Sequence, residues 1–190
     1  MAELRGLYYN NEDFRRVSGT PTDGIEIHPY APFVPPTASV LILGSFPGID
    51  QTRRSNESEE WYYSAKRNQL WQILEAVYDV KLKSVTDKKE LFNEVGIAIT
   101  DIILKARRLD ESNLDKHLVI VEYNTDAVEQ IIKLERIKKV LFTSQFVQKH
   151  FVKIFPQYLN GECLPSPSPR YAKMSKTDKI EAYKRKLPKK

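Results

Sequence analysis

Three short uninterrupted apolar runs, Val40-Leu41-Ile42-Leu43, Ile97-Ala98-Ile99 and Val140-Leu141-Phe142, constrain this chain more than any other feature. Each is too short for a core helix and lacks alternating polar positions, so each reads as a strand buried on both faces. Between the runs the apolar period changes to that of a helix. From Asn68, residues Leu70, Ile73, Leu74 and Val77 fall at i, i+3, i+4 and i+7, an inward stripe. Asp87, with Glu90 three residues on, reads as the cap of a second helix that Gly96 ends. Thr125 or Asp126 caps a third, with Val128, Ile131, Ile132 and Leu134 inward, and Ser144 opens a fourth that Pro156 stops after Phe155. Short strands are also expected over Leu118 to Val121 and Glu162 to Leu164. Strands alternating with helices predict an α/β fold: a three-layer α/β/α sandwich around a central, mainly parallel sheet of roughly four strands. Ligands of such sheets sit beyond the C-terminal ends of the strands.

The 190 residues read as one domain without repeats. Residues 1–37, aromatic and Pro-rich with no period, form an irregular N-terminal arm, and 171–190 form a basic C-terminal helix and tail. In that helix Ser175 and Asp178 cap the start, Ile180, Tyr183 and Leu187 face inward, and Lys176, Lys179, Lys184, Arg185 and Lys186 lie on the polar side. From Arg170 to Lys190 nine Lys/Arg stand against two acids, a local +7 in a chain of net charge +5. Such a block suits a polyanion, whose bound counterions are released on contact; the bland reading is a solvated tail. No apolar run approaches the roughly 18 residues of a membrane span, and the N-terminus has no apolar signal region. A cytoplasmic protein with no membrane partner is expected, and a monomer. Cys163 is the single cysteine, read as a small buried hydrophobe, and His28, His117 and His150 are scattered. Disulfides, iron–sulfur clusters and Cys/His zinc sites are therefore excluded, and the chemistry is expected to need no metal and no cofactor.

Three segments follow strands and so gather at one sheet edge: Gly44-Ser45-Phe46-Pro47-Gly48, Asp101, and Pro165-Ser166-Pro167-Ser168-Pro169-Arg170. The first is no nucleotide loop, since no Gly-Lys-Ser/Thr follows; alone it reads as a tight turn needing glycine. Joined with Tyr62-Tyr63-Ser64-Ala65-Lys66-Arg67-Asn68-Gln69-Leu70-Trp71 at a helix start, it resembles the uracil-DNA glycosylase superfamily, closest to the hypoxanthine-DNA glycosylases. The likeness runs from about Ile27 to Leu187.

The resemblance implies a monofunctional DNA glycosylase for base-excision repair, acting on DNA that holds a deaminated base, hypoxanthine or uracil. It implies that Gly44 to Gly48 position a water under the sugar, with Gly44, Phe46, Pro47 and Gly48 beside the base. It also implies that Tyr63 stacks on an extruded base, that Asn68 bonds near it, and that Ser166, Pro167, Ser168, Pro169 and Arg170 press into the duplex. Lys173, Lys176 and Lys179 would grip flanking phosphates. Base flipping makes the glycosidic carbon accessible, and an aromatic face recovers part of the lost stacking.

The chain also departs from the resemblance. Phe46 stands where most branches have an Asp or Asn for the water, Leu164 where many have a His, and Ala65-Lys66 where His-Pro is usual. Gly48 replaces the tyrosine with which the strictly uracil-specific branch blocks a 5-methyl group, which leaves that space open. Cleavage through an oxocarbenium-like sugar needs donors near the base and an anion or carbonyl near the sugar. The backbone of the first loop, Ser45, the Asn68 amide and Ser166 can supply these, with Asp101 or Asp50 orienting water. The structural alternatives are a strand-end cap for Asp101, a helix cap for Asn68 and core packing for Trp71. Two other functions fit as well: a nucleic-acid-binding module of this fold without catalysis, and a small-molecule nucleotide hydrolase.

Overall fold

The computed structural model describes residues 24–53, 60–158 and 160–190. Strands β2 (Val40–Gly44), β3 (Ile97–Asp101), β6 (Lys139–Phe142) and β7 (Gly161–Cys163) form a fully parallel sheet in the order β3-β2-β6-β7. Both faces of its centre are buried, which is why the central strands are continuous apolar runs. Their side chains alternate between two cores. Val40, Ile42, Ile97, Ile99 and Leu141 pack on one side with α2 (Leu70–Tyr78), α3 (Val85–Val95) and α6 (Lys176–Lys186). Leu41, Leu43, Ala98, Val140 and Phe142 pack on the other with α4 (Thr125–Ile132) and α5 (Gln145–Ile154). The expected three-layer α/β/α sandwich is therefore present. Each fully buried Ile or Leu contributes about 1.5–3 kcal/mol.

A second, antiparallel sheet joins β1 (Ile25–Ile27), β4 (Ile103–Arg108) and β5 (Leu118–Tyr123) in the order β1-β4-β5; β5 contains the strand expected over Leu118 to Val121, whereas β1 and β4 were not legible in the sequence. In β4 only Ile103 and Ala106 are buried, and Lys105, Arg107 and Arg108 hide the strand in a polar stretch. The strand β1 and a bridge from Phe33 to Ile99 also correct the irregular reading of the arm from 24 onward; residues 1–23 lie outside the described residues. A short helix α1 (Ile49–Arg53) follows the first loop.

Helix starts follow the side chains available. Ser84, not Asp87, caps α3: its hydroxyl accepts from Asp87 N at 3.0 Å while Asp87 Oδ2 accepts from Ser84 N at 2.9 Å, a reciprocal box with Asp at the third position. Gly96 ends that helix at φ 71°, where a Cβ would meet the Thr37 carbonyl at 2.7 Å. Ser144 and the Ser175–Asp178 box cap α5 and α6 as expected. Asn124, rather than Thr125 or Asp126, precedes α4, and its amide turns away to bond Asp101 O and Thr100 Oγ1.

Candidate active site

Parallel register decides which residues meet. Gly44 pairs with Asp101, Leu43 pairs with Phe142, and Phe142 pairs with Cys163, so the residues that follow each strand emerge side by side. They surround an open cleft of about 1340 Å³. Its lining includes Ser45 to Gly48, Tyr63, Asn68, Asp101, Asp115 and 164–171, so the structure brings together all three segments that the sequence singled out.

The first loop is clamped at every residue but one. Gly44 O accepts from Ile102 N at 2.9 Å, Ser45 O from Ile103 N at 3.1 Å, Pro47 O from Arg108 Nη2 at 2.6 Å, and Gly48 O from Gln51 N at 3.1 Å. Within this loop the Phe46 carbonyl alone has no donor among the described residues. Arg108 in turn holds the buried Glu26 at 2.8 Å, and Asn113 Oδ1 accepts from Ile49 N at 2.8 Å. Neither Gly44 nor Gly48 has positive φ, so the reading of a turn that needs glycine for its backbone angles is corrected. Gly44 is small because a Cβ there would collide with Asp101 Oδ1 and the Tyr63 hydroxyl. At Gly48 a Cβ would meet Gln51 Oε1 at 2.6 Å and Asn113 Oδ1 at 3.3 Å, so the space expected to be open is taken by those two side chains.

Tyr63 stands at φ 59°, a left-handed conformation that costs a bulky residue about 1–3 kcal/mol. Its hydroxyl donates to Thr143 Oγ1 at 3.0 Å, across the floor from the loop. Burial, with Asp101's charge as a second cause, pushes this phenol well above its usual range, so it stays a donor. Asn68 Oδ1 accepts from Leu70 N at 2.9 Å, so Asn68 stands just before Gln69, the residue that caps the helix, and its amide N–H2 has no protein partner among the described residues. Trp71 belongs to the core, stacked on Trp61 at 5.5 Å.

Four acidic residues line the cleft, Asp50, Glu60, Asp101 and Asp115, and the last two meet the first loop. Asp101 is 4% exposed; Oδ2 accepts from His28 Nε2 at 3.0 Å and Oδ1 has no partner among the described residues. Asp115, which sequence reasoning missed, accepts from Ser45 Oγ at 2.8 Å. Burial raises its carboxyl, Ser45's hydrogen bond opposes the rise, and Asp101's charge adds to it. The Ser45 proton is thus committed to Asp115. Phe46 turns its ring onto His28 at 6.0 Å and beneath the Arg108 guanidinium at 5.7 Å. Leu164 is 3% exposed and belongs to the core.

The far wall is the Pro-rich loop, held by donors on its carbonyls. Lys186 Nζ donates to Cys163 O at 3.0 Å, Tyr183 OH to Pro165 O at 3.0 Å, Gln69 N to Pro167 O at 2.9 Å, and Lys179 Nζ to Ser168 O at 3.2 Å. This corrects the placement of Lys179 on the polar side: it is 2% exposed and also bonds Gln69 Oε1 at 2.9 Å. A Lys at i beside Tyr at i+4 and Lys at i+7 is a single inward stripe, whose cations snorkel to carbonyls. Pro167 is buried, whereas Pro169 and Arg170 are exposed at the tip. Lys173 lines the cleft, while Lys176 lies outside it and donates to Gln72 Oε1 at 2.6 Å. The rim instead carries Lys66, Arg67, Lys116, Arg170 and Lys173, all exposed and none with an acidic partner among the described residues.

An α/β sandwich with its cleft beyond the C-terminal strand ends and polar groups converging on one floor defines a ligand-handling domain. The family model of the uracil DNA glycosylase superfamily matches residues 31–189, and the chain belongs to that superfamily, whose members are DNA glycosylases. It is similar in fold to the solution NMR structure of a protein from Methanosarcina acetivorans provisionally named a uracil DNA glycosylase, with a TM-score of 0.65 and 18% identity over 85% of this chain and 97% of that one. No curated protein matches the sequence. Among the described residues no helix is long and apolar enough to cross a membrane.

Proposed function

We propose that the protein is a cytoplasmic, monomeric DNA glycosylase that hydrolyses the N-glycosidic bond of a deaminated base, hypoxanthine or uracil, for base-excision repair. The observation that carries this reading is the cleft itself: five exposed cations on its rim, none with an acidic partner among the described residues, surround a floor that holds Tyr63 and a buried carboxylate oxygen without a partner among those residues. Phosphates of the flanking strand neutralise the rim, the exposed Pro169–Arg170 tip fills the gap in the stack, and the extruded base lies against Tyr63.

The chemistry then needs two things. The unspent amide donors of Asn68 meet the negative charge that grows on the departing base. Asp101 Oδ1 accepts from the attacking water and faces the positive charge that grows on the sugar. The water oxygen bonds to the sugar carbon, the C–N electron pair leaves with the base, and the water's proton passes to Asp101; the base anion takes a proton from solvent and Asp101 returns its own to solvent, which restores the carboxylate. Position 46 has no carboxylate, and on this reading Asp101 at the end of β3 replaces it.

A second reading, a DNA-binding protein without turnover, is favoured by the apolar placement of Phe46 and Leu164. One assay separates the two. Labelled duplexes containing hypoxanthine, uracil or xanthine, paired and mispaired, are incubated with the protein and cleaved with alkali. Strand scission at the lesion is expected, and Tyr63→Ala is expected to lose about 1–3 kcal/mol of binding to lesion DNA alone. Tight binding without scission refutes hydrolysis.

A further inference from the structure

We propose that His28 is a positioning residue: it fixes the Asp101 carboxylate so that Oδ1 is presented to the reacting centre. The proposal rests on the glycosidic hydrolysis assigned above and deepens it.

The backbone sets the imidazole's proton. Tyr30 N donates to His28 Nδ1 at 3.1 Å, so that nitrogen is an acceptor and the proton sits on Nε2. Nε2 donates to Asp101 Oδ2 at 3.0 Å. His28 is 2% exposed, and the rings of Tyr30 at 5.8 Å, Phe46 at 6.0 Å and Tyr62 at 5.5 Å enclose it. Solvent therefore has little access to the pair, and the side chain of the motif residue Phe46 acts as its cover. With Nδ1 accepting and Nε2 donating, the imidazole serves Asp101 as a hydrogen-bond donor and adds no positive charge beside it.

The other half of Asp101 points to a ligand. Oδ1 is buried and has no partner among the described residues, and a buried acceptor left unsatisfied is costly, so such groups are rarely idle. Its direction follows from Gly44, where a Cβ would overlap Oδ1 and the Tyr63 hydroxyl: Oδ1 lies at the mouth of the Gly44–Gly48 loop. Asn124 Nδ2 holds the Asp101 main chain at 3.1 Å, and the terminal carboxylate rotation still has to be fixed. That rotation is broad and nearly two-fold in an unrestrained Asp, and Nε2–H of His28 removes it. A displacement of about 1 Å at a reacting group costs on the order of 10²-fold in rate, so a lost anchor is expected to show in the chemical step and not in affinity.

The test compares His28→Leu, of similar volume and no donor, with His28→Gln, whose side-chain amide can donate to Oδ2. Single-turnover rates and dissociation constants are measured on the duplex the wild type cleaves, thermal melting reports folding, and ¹⁵N NMR of the imidazole reports the tautomer. The expected result is a fall of about 10²-fold in rate for His28→Leu with affinity changed less than about 3-fold, recovery of most of the rate in His28→Gln, and a proton on Nε2. Adding Asp101→Asn to His28→Leu is expected to cost little beyond Asp101→Asn alone. A normal rate in His28→Leu, a His28→Gln as slow as the leucine variant, or a proton on Nδ1 overturns the proposal. A wild type inactive on every duplex overturns the glycosylase reading and this proposal with it, whereas an active wild type with an unaffected His28→Leu overturns only the positioning role.

Discussion

Replacing Lys179 by Met deletes a buried ammonium while keeping the length of its stem, and so separates scaffolding from phosphate contact. Lys179 Nζ supplies two hydrogen bonds, to Gln69 Oε1 at 2.9 Å and Ser168 O at 3.2 Å, and burial holds its pKa below the usual lysine value. Each bond from a charged donor is worth about 1.5–3 kcal/mol, and the opposing desolvation of a buried ammonium is several kcal/mol. The two nearly cancel, so global stability is expected to change by less than about 2 kcal/mol. The local effect does not cancel. The Pro-rich wall loses one of its four anchors, the one on Ser168 O, and a loosening of about 1–2 kcal/mol lowers the ratio of ordered to disordered wall by about 5–30-fold.

The assay is fluorescence anisotropy of labelled duplex across a salt series, paired with single-turnover excision. Lys179→Met is expected to leave the slope of log binding constant against log salt unchanged and to slow excision by at most about 5–30-fold. Lys173→Ala or Arg170→Ala, on the rim, is expected to lower that slope by about 0.9 each. A drop of about 0.9 with Lys179→Met would return Lys179 to the phosphate-binding face and refute the scaffold argument.

Asn68→Asp keeps the acceptor for Leu70 N and removes the amide donors, so it is expected to melt like the wild type and to lose on the order of 10²-fold in single-turnover rate. A normal rate would leave Asn68 with its turn alone; Asn68→Ala should further cost about 1 kcal/mol of stability. Glu162, between Lys139 and Lys186 at 2.8 Å each, has its carboxyl lowered from 4.5 to about 2 by those two hydrogen-bonded cations. A depressed carboxyl stabilises the fold above its ordinary value and loses that effect as pH falls through the folded value. Glu162→Gln is therefore expected to cost up to about 1 kcal/mol at pH 7, a modest figure because the pair is partly exposed, and nothing near pH 2 in thermal melts. An equal cost at both pH values would exclude the charge as its source.

The parallel sheet was legible because a strand buried on both faces must be apolar at every position, and no other local structure needs that over four or five residues. Caps such as Ser144 and the Ser175–Asp178 box were legible for a similar reason: the partner lies three residues away. The convergence of Gly44, Asp101 and the Pro-rich loop followed from strand order alone, since parallel register carries each C-terminal end to the same edge. What stayed hidden depends on partners distant in sequence. Lys179 reads as a surface cation until the carbonyl of Ser168 and the amide of Gln69, 110 residues away, are brought to it. Ile103–Arg108 is a strand because it pairs on both edges, although its charges mask the alternation. His28 lies in an arm without any period and meets Asp101 across 73 residues. A local pattern records which surfaces must leave water, but a buried polar group is permitted only by the partner that satisfies it, and tertiary structure alone decides which partner that is.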